Sequence, residues 1–310
     1  MQKSWLKQQK LALVMGGGGA RGALQAGALR ALVEHDVRPD LVVGASAGAL
    51  NAAFIGLRGW SLATVEALQE IWRVAATADL LPAGAAWAMM RTVLRLPGRV
   101  RERPIRRFLM AHGLKPEMRF AAMQMPVYVV VTDLSRCRTL VYGDDPNDTV
   151  LDAVEASAAL PPWVLPIEHA GSSLMDGGAV SNLPVEPALA RGATRIIALD
   201  LHDPRGLSAD FSGLGGFIWK VTTASQVRET DIELALAAAR GVPVQHIHLT
   251  PETPTFLWDF GHPNTLIAQG YTITQRALER RERQATRWRA HVQRAFSWRP
   301  SGRSLLAHGR

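Results

Sequence analysis

Leu41-Val-Val-Gly44-Ala-Ser46-Ala-Gly48-Ala-Leu-Asn-Ala-Ala53 reads as a buried strand, a tight turn and the opening of a helix. Leu41 to Val43 follow Pro39-Asp40 and show no polar alternation, which predicts a strand covered on both faces. Small and apolar residues from Ala47 to Leu57 predict a helix. At the junction, Gly44-Ala-Ser46-Ala-Gly48 is a Gly-x-Ser-x-Gly pattern. In that setting the pattern makes a nucleophile elbow, with the serine on a strained turn and glycines where side chains would clash. The helix start also aims its amide dipoles at the hydroxyl, favouring negative charge there. The bare pattern is common, and its plain alternative is a glycine-rich helix start with Ser46 as an N-cap.

The same alternation of strand and helix extends in both directions. Leu11-Ala-Leu-Val-Met15 is a short apolar run ended by four glycines, followed by helical spacing from Ala20 to Glu34. A helix from Leu62 to Val74, strands at Val127–Thr132 and Arg195–Leu201, and an edge strand or hairpin at Arg138–Tyr142 follow. Further on come a helix from Asp152 to Ala159, a long one from Phe217 to Arg240, a strand at Val244–Leu249 and a terminal helix from Leu266 to Arg294. This order predicts an α/β fold with a mainly parallel sheet covered on both faces. Residues 76–107 break the pattern with Pro82, Gly84, Pro97 and Gly98, and interleave Trp87, Met89, Met90 and Leu94 with arginines. They read as an inserted cap.

Gly16-Gly-Gly-Gly19-Ala-Arg21-Gly22 links the first strand to the first helix and admits two uses. Gly17, Gly19 and Gly22 fit the G-x-G-x-x-G of dinucleotide binding, the mark of an oxidoreductase. That use wants an acid at the end of the second strand, where Val43-Gly44 stand; Asp40 is at its beginning. The rival use is an oxyanion hole built from exposed backbone N–H groups, with Arg21 adding positive charge. Both loops fall at the carboxyl ends of neighbouring strands, where open α/β sheets form their sites. A serine also needs a base. Asp176, followed by Gly177 and Gly178, is one candidate; Asp133 at a strand end and a histidine such as His169, His202 or His262 are others.

Taken together, Gly16–Gly22, Gly44–Ala53, Ala156-Ser157 with Pro161, and Asp176-Gly-Gly-x-x-x-Asn182-x-Pro184 resemble the patatin-like phospholipases. The resemblance spans about residues 11–200, with a weaker echo from Phe256 to Gly270. It implies a three-layer α/β/α catalytic domain over 11–200, with 201–310 as an extension packed on it and ending in a basic helix and tail. It implies a Ser–Asp dyad without histidine: Ser46 as nucleophile, Asp176 as general base, and the amides of Gly17, Gly18 and Gly19 as oxyanion hole. Arg21, Gly22, Gly44, Gly48, Gly177 and Gly178 then support the site. It further implies acyl ester hydrolysis of phospholipids or related lipids, with no metal or organic cofactor. A catalytically silent lipid-binding scaffold is the alternative that keeps the same fold.

Composition agrees with a packed enzyme-sized chain. The 310 residues are 47% hydrophobic and 20% charged, which excludes disordered, collagen-like and coiled-coil classes. The single Cys137 forms no internal disulfide and no cysteine zinc site, as expected of a reducing compartment. No secretory leader or membrane span is read, so the chain is expected to be cytoplasmic. The formal charge of +8 is uneven: the stretch from Arg276 to the end carries +8 and the cluster Arg91–Arg107 carries +6, leaving the rest acidic. With Trp288, Phe296 and Trp298 among the tail arginines, these clusters are expected to touch an anionic membrane surface peripherally. Nucleic acid is disfavoured because no binding module accompanies the charge. His246 and His248 share a strand face and can bind metal, but no third ligand is indicated nearby and they read as surface or core histidines. Asp200-x-His202-Asp203 looks like a metal or triad cluster, with a capped loop the preferred reading.

Overall fold

Apolar strands long enough to be buried on both faces dictate the centre of the molecule. The computed structural model describes residues 9–78, 80, 104–160, 164–203, 205 and 214–297, and only the backbone for 214–216, 218, 219 and 284–297. Most of the expected cap, including Trp87, Met89, Met90 and Leu94, lies outside the described residues. So do the side chains of Trp288 and Phe296, and the tail with Trp298.

Eight strands form one sheet: β1 (Leu11–Met15), β2 (Leu41–Ala45), β3 (Val127–Asp133), β4 (Arg138–Tyr142), β5 (Ile167–His169), β6 (Ser172–Asp176), β7 (Arg195–Asp200) and β8 (Val244–His248). The hydrogen-bonded order is β5-β6-β3-β2-β1-β7-β8, with β4 also paired to β3. From β3 to β8 the pairings are parallel, while β4, β5 and β6 are antiparallel to their neighbours. Every residue of β2 is buried, as the absence of alternation predicted.

The period-two alternation of side chains divides the core into two. Leu13, Met15, Val42 and Val129 join one apolar cluster, which holds α1 (Gly22–Glu34), α2 (Ala47–Arg58), α3 (Leu62–Ala75) and α5 (Val150–Ser157). The short α4 (Pro104–Ala111) adds Phe108 and Leu109 to it. Ala12, Val14, Leu41 and Val43 join the other, under α6 (Val185–Ala190) and α7 (Leu214–Ala239). The result is an α/β/α sandwich. Outside it, α8 (Pro263–Ser297) crosses α1 at backbone distance: a Cβ on Gly27 would lie 1.9 Å from the Ile267 carbonyl oxygen, and one on Gly270 1.9 Å from that of Leu24.

The β5–β6 hairpin, α4 and α6 are absent from the sequence reading. The hairpin is built from short strands with a single turn at Ala170-Gly171. The register of β3 shows why it matters. Val131–Asp133 pair with both β4 and β6, and Val129–Val130 pair with both β2 and β4. A strand has two edges, so β4 occupies one and β2 and β6 share the other. β2 runs up to Ala45 opposite Val130, and β6 runs down to Asp176 opposite Val131. The two strands meet end to end.

Candidate active site

At that meeting point the chain leaves β2 through Ser46, whose φ of 54° and ψ of −121° lie in a region costly for a residue with a Cβ. Packing holds the strain. A Cβ on Gly44 would stand 2.3 Å from the Gly48 carbonyl oxygen, so only glycine permits the turn. The Ser46 N–H donates to Ser157 Oγ at 2.8 Å, and the Ser157 hydroxyl donates to the Val130 carbonyl at 2.6 Å. Ser157 thereby ties the elbow to β3. The Ser46 side chain makes no capping bond to α2, which sets aside the N-cap reading. Its hydroxyl donates instead to Asp176 Oδ2 at 2.7 Å.

Asp176 is 3% exposed. Its other oxygen, Oδ1, accepts the Gly178 N–H at 2.8 Å, and its carbonyl accepts the Thr132 hydroxyl at 2.7 Å. Burial pushes its carboxyl up to about 6, against the opposing pull of the bonds from Ser46 and Gly178. Gly177 sits against β3, where a Cβ would meet the Val130 carbonyl oxygen at 2.2 Å. The other acids and bases considered from sequence, His202 excepted, lie elsewhere. Asp133 is ion-paired to Arg136 and Arg138, His169 is exposed on β5, and His262 is exposed just ahead of α8. His202 lines the same cavity as Ser46, and its buried Nε2 has no hydrogen-bond partner among the described residues.

The glycine loop after β1 wraps over the elbow. Of its three amides expected to hold an oxyanion, that of Gly17 is already donated to the Asn182 carbonyl at 3.0 Å. The amides of Gly18 and Gly19 have no acceptor among the described residues, and both glycines line the cavity. Gly17 therefore anchors the loop to the segment after Asp176, leaving two free donors instead of three. A buried polar relay fixes the base of the loop. Trp72 Nε1–H donates to Asn51 Oδ1 (2.9 Å), Asn51 Nδ2–H to Gln25 Oε1 (2.9 Å), and Gln25 Nε2–H to the Gly16 carbonyl (2.9 Å). Gly22 packs against the Trp72 ring. Arg21 is buried, bonded through Nε to the Gly18 carbonyl at 3.4 Å; burial lowers it to about 10, opposed by the charges of Asp203 and Asp200.

Two cavities open onto Ser46. One is the more polar of the two, with Arg21, Asp176, Asn182, His202, Asp203 and Gln226 contributing to its wall. The other is apolar, with Leu50, Ile71, Trp72, Ile105, Phe108 and Phe260 among its lining. Ser46, Gly19, Leu160, Leu257 and Trp258 belong to both. The dinucleotide alternative finds no support here, because β2 ends at Ala45 and Asp40 at its start accepts the Leu11 N–H at 2.6 Å.

Several polar residues had no role in the sequence reading. Ser157 and Asn182 were noticed only as parts of motifs. Beneath Asn182, Glu233 accepts the Ser181 hydroxyl at 2.5 Å and the Glu186 N–H at 2.7 Å, beside Glu229. Burial pushes both glutamates up to about 7. The expectation that His246 and His248 lack a third metal-type ligand is corrected: Asp200, from the adjacent strand, lies with them in one cluster. No helix among the described residues is long and apolar enough to cross a membrane.

The profile of the patatin-like phospholipase family matches residues 13–189, which include the elbow, the glycine loop and Asp176. The mouse patatin-like phospholipase domain-containing protein 7 is 31% identical over 224 residues, aligning to 68% of this chain. The human domain-containing protein 6 is 31% identical over 215 residues. The lysophospholipase nte1 of Aspergillus terreus is 25% identical over 90% of the chain. The chain spans only 15% of the length of the two mammalian relatives and 19% of the fungal one. The crystal structure of VipD from Legionella pneumophila aligns with 87% of this chain and 67% of its own at 15% identity and a TM-score of 0.49. With its family profile covering more than half the chain, this protein belongs to the patatin-like phospholipase family.

Proposed function

We propose that the chain is a serine acyl hydrolase that cleaves a fatty acyl ester of a phospholipid or lysophospholipid. The observation that carries this reading is the 2.7 Å hydrogen bond from Ser46 Oγ to Asp176 Oδ2, at the seam between an apolar cavity and a more polar one. An ester with a long apolar acyl chain and a charged alcohol fits that division. The acyl chain takes the groove beside Trp72 and Phe108, and the phosphate-bearing side takes the cavity beside buried Arg21.

Asp176 accepts the Ser46 proton as Oγ attacks the carbonyl carbon. A carboxylate raised to about 6 is a better base than one in water. The oxyanion accepts the Gly18 and Gly19 N–H groups, each donor being worth roughly 3–4 kcal/mol in enzymes where one has been removed. Asp176 then returns the proton to the departing alcohol, leaving an acyl-Ser46 ester. Water attacks that ester with Asp176 again as base, and the freed fatty acid leaves Ser46 protonated. No step calls on His202. The lysophospholipase among the relatives favours a single-chain substrate, which one groove accommodates.

Fluorophosphonate labelling and product analysis with mixed-acyl phospholipid and lysophospholipid test the reading. Wild type is labelled and releases fatty acid; Ser46→Ala does neither, and Asp176→Asn loses at least a thousandfold. An unlabelled, correctly folded wild type favours the silent scaffold. Substantial activity in Asp176→Asn removes the dyad.

A further inference from the structure

Metal sites are often assembled across strands, where two residues at i and i+2 on one strand face a third on its neighbour. On β8, His246 and His248 lie two apart, and Asp200 pairs in register with His248 from the end of β7. His246 Nε2 is 2.9 Å from Asp200 Oδ2, and His248 Nδ1 is 3.6 Å from the same oxygen. The three donor atoms lie within 4.8 Å of one another, and the two rings are tilted at 43° with centroids 3.8 Å apart. A tetrahedral zinc ion with ligands at about 2.0–2.1 Å holds its donors roughly 3.3 Å apart. The separations straddle that value.

We propose that Asp200, His246 and His248 bind one divalent ion of the zinc class, at a site separate from the Ser46–Asp176 pair. The donor set of two imidazoles and one carboxylate suits such an ion and leaves a position for water. The side is open for it: the His248 side chain is 61% exposed, against 19% for His246 and 3% for Asp200. The buried carboxylate is also oriented in advance. Its Oδ1 accepts the His202 N–H at 2.8 Å, so Oδ2 is the oxygen turned to the imidazoles. Each imidazole offers its donor nitrogen once the ring proton rests on the other nitrogen.

The position gives the ion a role in the architecture. β7 and β8 are parallel, and both end on the side of the sheet where β2 delivers Ser46. The residues after Asp200 run straight to the polar cavity: Leu201 packs on Gly18, and His202 and Asp203 line the wall. An ion clamping the ends of β7 and β8 therefore steadies the floor on which the glycine loop rests.

The tag-free chain, stripped with a chelator, is titrated with zinc by calorimetry and with cobalt by visible absorption. One equivalent of each binds, cobalt gives the intense visible bands of a low-coordinate nitrogen–oxygen site, and zinc raises the melting temperature. His248→Ala, at an exposed position, and His246→Ala weaken zinc by more than a hundredfold and remove the cobalt bands. His35→Ala, a control outside the cluster, changes neither. The proposal is overturned if no cobalt bands appear, or if both cluster variants bind zinc as wild type does.

Discussion

Ala45 and Asp176 face consecutive residues, Val130 and Val131, along one edge of β3. Ser46 is thus the first residue past one strand, and its carboxylate partner Asp176 is the last residue of the strand running toward it. A one-residue slip of β6 would bring Met175 or Gly177 to that point and turn the side chain to the other face. The Thr132 hydroxyl on the Asp176 carbonyl pins the register.

The buried carboxyl sets a pH dependence. In the proposed reaction Asp176 acts as a base only when ionised, so kcat/KM on a soluble ester should fall about tenfold per pH unit below about 6 and level off above it. A stopped pH–rate series checks this. A profile unchanged in shape by Asp176→Asn but lost in His202→Ala would move the base to that histidine, whose imidazole is held by burial below its usual range.

Ser157 touches no reacting atom in the proposed chemistry, yet it holds the strained Ser46 amide. Ser157→Ala leaves that buried N–H unpaired, at a cost of about 1–3 kcal/mol. Denaturant unfolding should show that loss, and kcat should fall about ten- to hundredfold with KM little changed. Ser157→Thr, which restores the hydroxyl, recovers part of kcat.

In the proposed reaction the apolar cavity takes the acyl chain and so governs chain length. Leu50→Trp fills the groove next to the elbow, so hydrolysis of long-chain esters falls at least tenfold while acetate esters react at nearly the wild-type rate. Parallel loss on both would place the acyl chain elsewhere.

Glu229 and Glu233 make a separate, stability-level prediction. Their folded values near 7 lie above the ordinary 4.5, so the folded chain holds protons that the unfolded chain releases. Stability from this pair is fullest below about 4.5 and declines as pH rises to about 7. The melting temperature of Glu233→Gln should decline less than that of wild type between pH 5 and 7.5.

Local patterns made the centre of the fold readable. Leu11–Met15 and Leu41–Val43 are apolar without alternation because helices cover both faces, and the glycines around Ser46 mark the turn that only they permit. Asp176 could be chosen over Asp133 only through family resemblance, because its partnership depends on which edge of β3 the short β6 takes. The loss of Gly17 as a free donor depends on the Asn182 carbonyl, a contact that no local spacing encodes. Asp200 escaped notice beside His246 and His248 for the same reason: strand adjacency is a property of the sheet.

Trp72 belongs at once to the greasy wall of the groove and to the relay ending at the Gly16 carbonyl. Any occupant that tilts the indole pulls, through three directional links, on the cradle where the negative charge must settle. In the proposed hydrolase, chain recognition and rate are therefore mechanically one property: a poorly seated tail should slow the chemistry itself as well as loosen its grip.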